Sequence, residues 1–338
     1  MELYHGSLHF RKTRKSSCSL IALEKYLSYT KIVTDVIDTA EADIKSLKVQ
    51  GATNVALKVL DTLSEVMHNN PDTSCYELTK IGERLAYARP TEPLAQNAVR
   101  YVSLGCTSEA LNRIEEYREY VSTGKKTIPA LGAPLLADGG VYLTLCHSST
   151  TVNMFTNARS KGAYFSVYVA ETRPRFQGRT TAKELLAAGF SDVTMVVDDV
   201  AVSLIEGRIG KIDAVFIGAD LVTDKGFVNK IGSLAVSAAA KRKHIPVYVL
   251  TTLLKYDPKP FSPALIETRS TDEIWAEAPA NLKFYAPAFD YVPYLSNIKV
   301  ICEDGVISGK QVLAATKKRY PFIFDKGHDK HLYYGKSV

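Results

Sequence analysis

Residues 139–162 read GGVYLTLCHSSTTVNMFTNARSKG, and this stretch decides the fold. Val141 to Leu145 is a short apolar run rich in strand formers. Cys146-His147-Ser148-Ser149-Thr150 follows at once, and Val152, Phe155 and Ala158 then recur at helical spacing. The order is strand, tight turn, helix. The first N–H groups of such a helix are unpaired and suit an anion. The same field lowers the pKa of a thiol placed there, which makes a reactive thiolate of Cys146 one expectation. The other is a small buried apolar residue, the usual state of cysteine.

Downstream, apolar runs of five or six residues alternate with helical segments. That is the signature of a parallel sheet covered on both faces. Strands are expected at Val141–Leu145, Tyr164–Ala170, Val193–Val197, Ala214–Ile217, Val247–Leu250 and Val300–Cys302. Helices are expected at Thr150–Ser160, Thr180–Ala188, Val200–Glu206 and Gly232–Lys243. Upstream, from about Ser19 to Lys125, the period is helical throughout: Ile32, Val33, Val36 and Ile37, then Leu57, Leu60 and Leu63, then Leu78, Ile81 and Leu85. Pro71, Pro90 and Pro93 mark the breaks, and Pro129 to Asp138 reads as a linker or loop. The expected fold class is therefore α/β. A helical N-terminal domain (1–128, with a flexible basic tail at 1–18) precedes a doubly wound, parallel-sheet Rossmann-like domain (129–338).

At 338 residues the chain is long enough for about two domains. A net charge of +6 is too mild to mark a nucleic-acid binder by itself. Five scattered cysteines without a CxxC pair fit a reducing cytosol, hence a cytoplasmic protein, better than a disulfide framework. No run of about 18 apolar residues suggests a membrane span. HExxH, Walker and GxGxxG motifs are lacking, so no metal, ATP or NAD chemistry is indicated.

In doubly wound sheets ligands sit beyond the carboxyl ends of the strands, so the loops there hold the candidates. Three arginines, Arg173, Arg175 and Arg179, crowd the loop after the second strand. They would need an anion or carboxylates between them, or form a solvated loop or a subunit contact. After the fourth strand come Gly218-Ala219-Asp220 and then Asn229-Lys230-Ile231-Gly232. Asp220 suits acid–base work or a plain turn. Asn229 and Lys230, ahead of an expected helix start, suit a phosphate oxygen or the surface. Lys255 adds a cation after the next strand. In the helical part Gln50-Gly51-Ala52-Thr53 opens a helix, and Arg89 stands at a helix break. Either could face a phosphate between the domains, or be helix punctuation. His147 could orient the cysteine or merely occupy the turn.

CHSS (146–149), ETRPRFQGRTTAKEL (171–185), GAD (218–220), GFVNKIG (226–232) and APAFDYVP (286–293) give the chain a resemblance to one family over about Ile44 to Tyr320. That family joins the archaeal ribose-1,5-bisphosphate isomerases, the methylthioribose-1-phosphate isomerases and the regulatory subunits of translation initiation factor 2B. The CHS turn and the ETRPRFQG segment resemble the ribose-1,5-bisphosphate isomerase branch most. The regulatory subunits mostly lack the cysteine and the aspartate, and both are present here. The resemblance implies an aldose–ketose isomerase of a sugar phosphate in nucleotide salvage, working without metal or organic cofactor. Cys146 and Asp220 would be catalytic. Gln50, Gly51, Ala52, Thr53, Arg89, Ser148, Asn229, Lys230 and Lys255 would bind substrate. It also implies a homo-oligomer, dimer or hexamer, with which an apolar segment at Tyr291–Leu295 would be compatible. The alternative it leaves is a non-catalytic subunit that binds initiation factor 2 alpha. Gln50 stands where the isomerase branch shows arginine, and Thr53 where it shows glycine. The turn after Asp220 is one residue short. ICEDGVIS (301–308) and Gly327 to Val338 also depart from the pattern.

Overall fold

The structure, a computed structural model, describes residues 33–105 and 107–325. The basic tail expected at 1–18, the first helical residues and the segment 327–338 lie outside the described residues. A helix over 33–45 (α1) is followed by α2 (Ala52–Asn69), α3 (Cys75–Ala86), α4 (Pro93–Ser103) and α5 (Thr107–Gly132). α2, α3 and α4 each bury an apolar stripe. α2 buries Val55, Val59, Leu60, Leu63 and Val66, a spacing of three and four that puts them on one face. α3 begins with a capping box, Ser74 accepting from the Glu77 N–H while Glu77 accepts from Ser74.

Of the segment 129–138, read as a linker or loop, only 136–138 is loop. α5 runs on to Gly132 with Pro129 inside it, and a 3₁₀ turn over Ala133–Leu135 follows. The proline is tolerated within a 26-residue helix that packs on the sheet and on the next helix. Packing here outweighs the local cost of a lost N–H.

The sheet comprises β1 (Val141–Leu145), β2 (Ser166–Ala170), β3 (Val193–Val196), β4 (Ala214–Gly218), β7 (Val247–Leu250), β9 (Ile298–Cys302) and β10 (Gly305–Ser308). Their order is β10-β9-β7-β4-β1-β2-β3, parallel throughout except that β10 runs against β9. Between them lie α6 (Ser149–Ser160), α7 (Gln177–Ala187), α8 (Asp198–Ile205) and α9 (Ser233–Arg242). The fold class is α/β as expected. The six expected strands and four expected helices are all present, with ends displaced by up to three residues, the largest shift being the start of α7.

A second sheet was not foreseen. β5 (Leu221–Val222), β6 (Gly226–Lys230) and β8 (Phe289–Pro293) form an antiparallel sheet in the order β5-β6-β8. Asn229 and Lys230 therefore lie at the end of a strand, and the start of α9 follows at Gly232 as expected. Their register is set by the pairs Asn229↔Asp290 and Lys230↔Phe289. The segment Tyr291–Leu295 is half strand β8, with Val292 fully buried, rather than an exposed apolar surface. Short α10 (Thr271–Ile274) and α11 (Val312–Arg319) complete the elements.

One continuous core joins the helical part to the sheet, running from Ile44, Leu60 and Tyr117 to Leu143, Val215 and Val249. A polar tie reinforces it. Asn97 of α4 is 1% exposed and donates from Nδ2 to the carbonyls of Leu254 (2.7 Å) and Tyr256 (2.9 Å). Arg100 Nη1 donates to Asn97 Oδ1 at 2.8 Å. The backbone on both sides of Lys255 is thus held by a helix far away in sequence.

Candidate active site

Strand order dictates where a site can form. From β1 the chain moves outward to β2 on one side, and from its neighbour β4 it moves outward to β7 on the other. The loops part there and leave a crevice at the carboxyl ends. Cys146 directly follows β1, and Asp220 closes the loop after β4. Both line a cleft with two lobes, of about 270 Å³ and 140 Å³, and Gln50, Gly51 and His147 also border both. The first lobe holds Ala52, Thr53, Ser148, Asn229 and Lys255. The second holds Arg89 and Lys230. All eleven residues to which the resemblance gave a catalytic or binding role thus line one cleft, whereas Arg173 and Arg179 do not.

Gly51, at φ 82°, is the N-cap of α2, and nothing within 4 Å would meet a Cβ there. Backbone conformation alone favours glycine at this point. Ser148 caps α6, accepting from the Thr151 N–H at 3.3 Å. Two helix starts therefore face the first lobe, with Lys125 and Lys255 beside them.

Cys146 sits at φ 66°, a left-handed conformation costly for a side-chain-bearing residue. Threonines hold it there. Its N–H donates to Thr172 Oγ1 (2.8 Å), and Thr181 Oγ1 donates to its carbonyl (2.9 Å). Thr172 and Arg173 in turn donate their N–H groups to Asp198, each at 2.8 Å. The thiol is not acidified as the helix start suggested. Burial pushes it up to about 11, Asp220 and Asp198 push the same way, and Lys230 and the His147 N–H only partly oppose them. The His147 side chain turns away. Its Nδ1 meets Thr181 Oγ1 at 3.2 Å and its Nε2 lies 3.6 Å from Glu184, so only its backbone N–H serves the sulfur.

The Asp220 N–H is tied to the Val228 carbonyl at 2.9 Å, which joins its loop to the small sheet. Lys255 Nζ donates to the Ala219 carbonyl at 2.6 Å. Asn229 and Lys230 are 4% and 6% exposed, and Asn229 Nδ2 donates to Ser233 Oγ at 2.8 Å. Lys230 Nζ lies 4.4 Å from the centre of the Phe289 ring. Among the described residues no carboxylate pairs with it, so its charge is available to a ligand.

Arg89 does not point free into the cleft. Its guanidinium is shared by Glu92 Oε1 (2.9 Å) and Glu267 (3.2 and 3.4 Å). Glu92 is 1% exposed, and its Oε2 is buried without a hydrogen-bond partner among the described residues. Burial is the largest cause that pushes the Glu92 carboxyl up, to about 7. Arg89 and Lys255 oppose it, and Asp220 and Glu267 add to it. The three arginines of the 173–179 loop need no anion either. Arg175 meets Glu273 at 2.9 Å, Arg179 meets Glu171 at 3.2 Å, and Arg173 donates to the Ile274 carbonyl. Arg173 and Arg179 also lie over the Phe176 ring.

Glu92, Glu267, Arg269, Gln177 and Lys125 line the cleft but were not foreseen. Glu92, ahead of Pro93, looks in sequence like any acid at a helix start, and Glu267 lies in a segment without period. Among the described residues no cluster of three or more His, Cys, Asp or Glu could hold a metal, and no helix is long and apolar enough to cross a membrane.

Fold and cleft together define a doubly wound α/β chain with a thiol and a carboxylate at its switch point, between two lobes lined by charged side chains. A sequence profile of the Initiation factor 2 subunit family matches residues 48–309, and the chain belongs to that family. It is 32% identical over 287 residues to a ribose 1,5-bisphosphate isomerase of Methanocaldococcus jannaschii, covering 81% of this chain and 92% of that one. It is 32% identical over 325 residues to a 5-deoxyribose 1-phosphate isomerase of Bacillus thuringiensis, covering 86% and 92%. The structure of a Pyrococcus horikoshii translation initiation factor eIF-2B superposes with a TM-score of 0.70 at 20% identity, over 82% of this chain and 96% of that one. The relatives at this identity and coverage place the chain among the isomerases of the family.

Proposed function

We propose that the protein isomerises a sugar 1-phosphate aldose to its ketose, with ribose 1,5-bisphosphate as substrate and ribulose 1,5-bisphosphate as product. One observation carries this reading: Cys146 and Asp220 stand where two lobes meet, each lobe supplied with cations or helix starts. A bisphosphate needs an anion site at each end, and a monophosphate needs one.

The chemistry requires four proton movements. The bond from C1 to the ring oxygen breaks as that oxygen takes a proton, and C2 loses its proton, leaving an enol phosphate across C1 and C2. The 2-hydroxyl then gives up its proton as C1 gains one, and the C2 ketone forms with the phosphate still on C1. Asp220 serves the oxygens and Cys146 the carbons. With its thiol near 11, forming the thiolate at neutral pH costs about 5 kcal/mol, which fits within the roughly 17 kcal/mol barrier of a turnover near one per second. Lys230 and the His147 N–H keep that cost from being larger.

The alternative is a regulatory subunit that binds initiation factor 2 alpha. Gln50 in place of the isomerase arginine favours it, and the retained thiol and carboxylate oppose it. The test is to incubate purified protein with ribose 1,5-bisphosphate and follow ribulose 1,5-bisphosphate. Absence of turnover, or full turnover by Cys146→Ser, would refute the isomerase reading.

A further inference from the structure

Glu92 is the buried group of the cleft that the isomerase chemistry leaves without a task. It is 1% exposed, it lines the second lobe with Cys146, Asp220 and Lys230, and its Oε2 has no partner among the described residues. Oε1 is engaged by Arg89 at 2.9 Å, and the same guanidinium also holds Glu267. Arg89 thus already serves two carboxylates before any ligand arrives. A dianionic phosphate entering this lobe would meet Glu92, Glu267 and Asp220 as well as the cations Arg89, Arg175, Lys230 and Arg269.

We propose that the cleft takes up its anionic ligand together with one proton, which resides on Glu92. In that form one negative charge leaves the lobe, and the buried Oε2, which has no partner among the described residues, no longer opposes an anion there. The proton comes from solvent on binding and returns on release, so no other reactant is needed. Glu92 is then a residue that selects for anions by its protonation state. This inference rests on reading the cleft as a sugar-phosphate site. It does not depend on which sugar is turned over.

The groups that face Glu92 set the balance. Arg89 comes from the turn before α4, Glu267 and Arg269 from the segment before α10, and Asp220 from the β4–β5 connection. Lys255 comes from its 3₁₀ turn, Lys230 from β6 and His147 from the β1–α6 turn. Burial and the two other carboxylates favour the neutral acid, Arg89 and Lys255 the anion, and the carboxyl is left near 7. Binding a dianion adds to the first set, so the proton is taken up more firmly in the complex.

The probe is sulfate, which carries no titratable proton at these pH values. Its affinity is measured from pH 6 to 9 for the wild type, Glu92→Gln and Glu267→Gln. For the wild type, affinity should fall by up to about tenfold per pH unit above 7, as one proton is required for binding. Glu92→Gln, which mimics the neutral acid, should bind with little pH dependence. Glu267→Gln should keep the wild-type slope. Adding sulfate to weakly buffered wild-type protein at pH 8 should also raise the pH by nearly one proton per site, a measurement that needs no variant. An equal slope in Glu92→Gln, as His147 would produce, overturns the proposal. So does no proton uptake, or no sulfate binding at pH 6. Failure to turn over ribose 1,5-bisphosphate, in contrast, would strike the substrate reading and leave these results standing.

Discussion

The Cys146 thiol offers a direct measurement of how the site treats charge. Alkylation by iodoacetamide proceeds through the thiolate, so its rate follows the thiolate fraction. With the thiol near 11, that fraction at pH 7.5 is on the order of 10⁻³ to 10⁻⁴. An unperturbed cysteine near 8.5 would be about 10% thiolate at the same pH. Cys146 should therefore alkylate roughly a hundredfold or more slowly than a free thiol, and the rate should climb tenfold per pH unit with no plateau below about 10. Lys230 is the largest influence in the opposite direction. Lys230→Met should slow alkylation further, by about three- to tenfold at pH 8. The assay is timed quenching with peptide mass spectrometry, reading the Cys146 peptide separately from Cys75 and Cys302. A plateau near pH 7, or faster alkylation in Lys230→Met, would show that the α6 start governs the sulfur and that burial does not.

Asn97→Ala leaves two buried carbonyls, of Leu254 and Tyr256, without a donor, and should cost about 2–4 kcal/mol. Thermal unfolding should show a fall of several degrees and kinetics a raised KM, because Lys255 sits between those carbonyls; an unchanged KM would separate the tie from the site. At Gly178 a Cβ would fall 1.8 Å from the Ala170 carbonyl oxygen, so Gly178→Ala must displace the start of α7 and should lower Tm far more than Gly51→Ala, where only backbone strain of about 1 kcal/mol is added. Comparable Tm losses in the two would refute that distinction. Glu92 binds its proton more firmly folded (about 7) than unfolded (4.5), so between those values the folded state holds more protons and stability falls as pH rises. The difference is about 2.5 pH units, or about 3 kcal/mol, and Glu92→Gln should escape it. Melting curves of the two proteins that stay parallel from pH 5 to 8 would contradict this.

The sheet was readable because a buried parallel strand announces itself as an uninterrupted apolar run, as in VYLTL (141–145) and VYVL (247–250). The small sheet was not. GFVNK (226–230) carries two polar residues that are buried yet border the cleft, so its apolar period is broken there. The end of α5 was hidden by Pro129, whose local penalty is offset by packing invisible to a window of sequence. The site was legible in its position, since the loops after β1 and β4 follow from strand order. Its electrostatics were not. The α6 start suggested an acidic thiol, but the sulfur's proton affinity is set by its surroundings, including Asp220, distant in sequence. Arg89 looked like a free phosphate ligand because Glu267, its partner, lies 178 residues further along the chain.

The five-rung pairing of β6 with β8 bears on which changes in length the cleft tolerates. Side chains along a strand alternate, so neighbours Asn229 and Lys230 reach into different lobes. A residue trimmed from the hairpin tip ahead of Gly226 would leave that parity untouched. One residue inserted between Gly226 and Asn229 would reverse the parity, exchanging amide and ammonium between compartments while every amino acid of the site stayed in place.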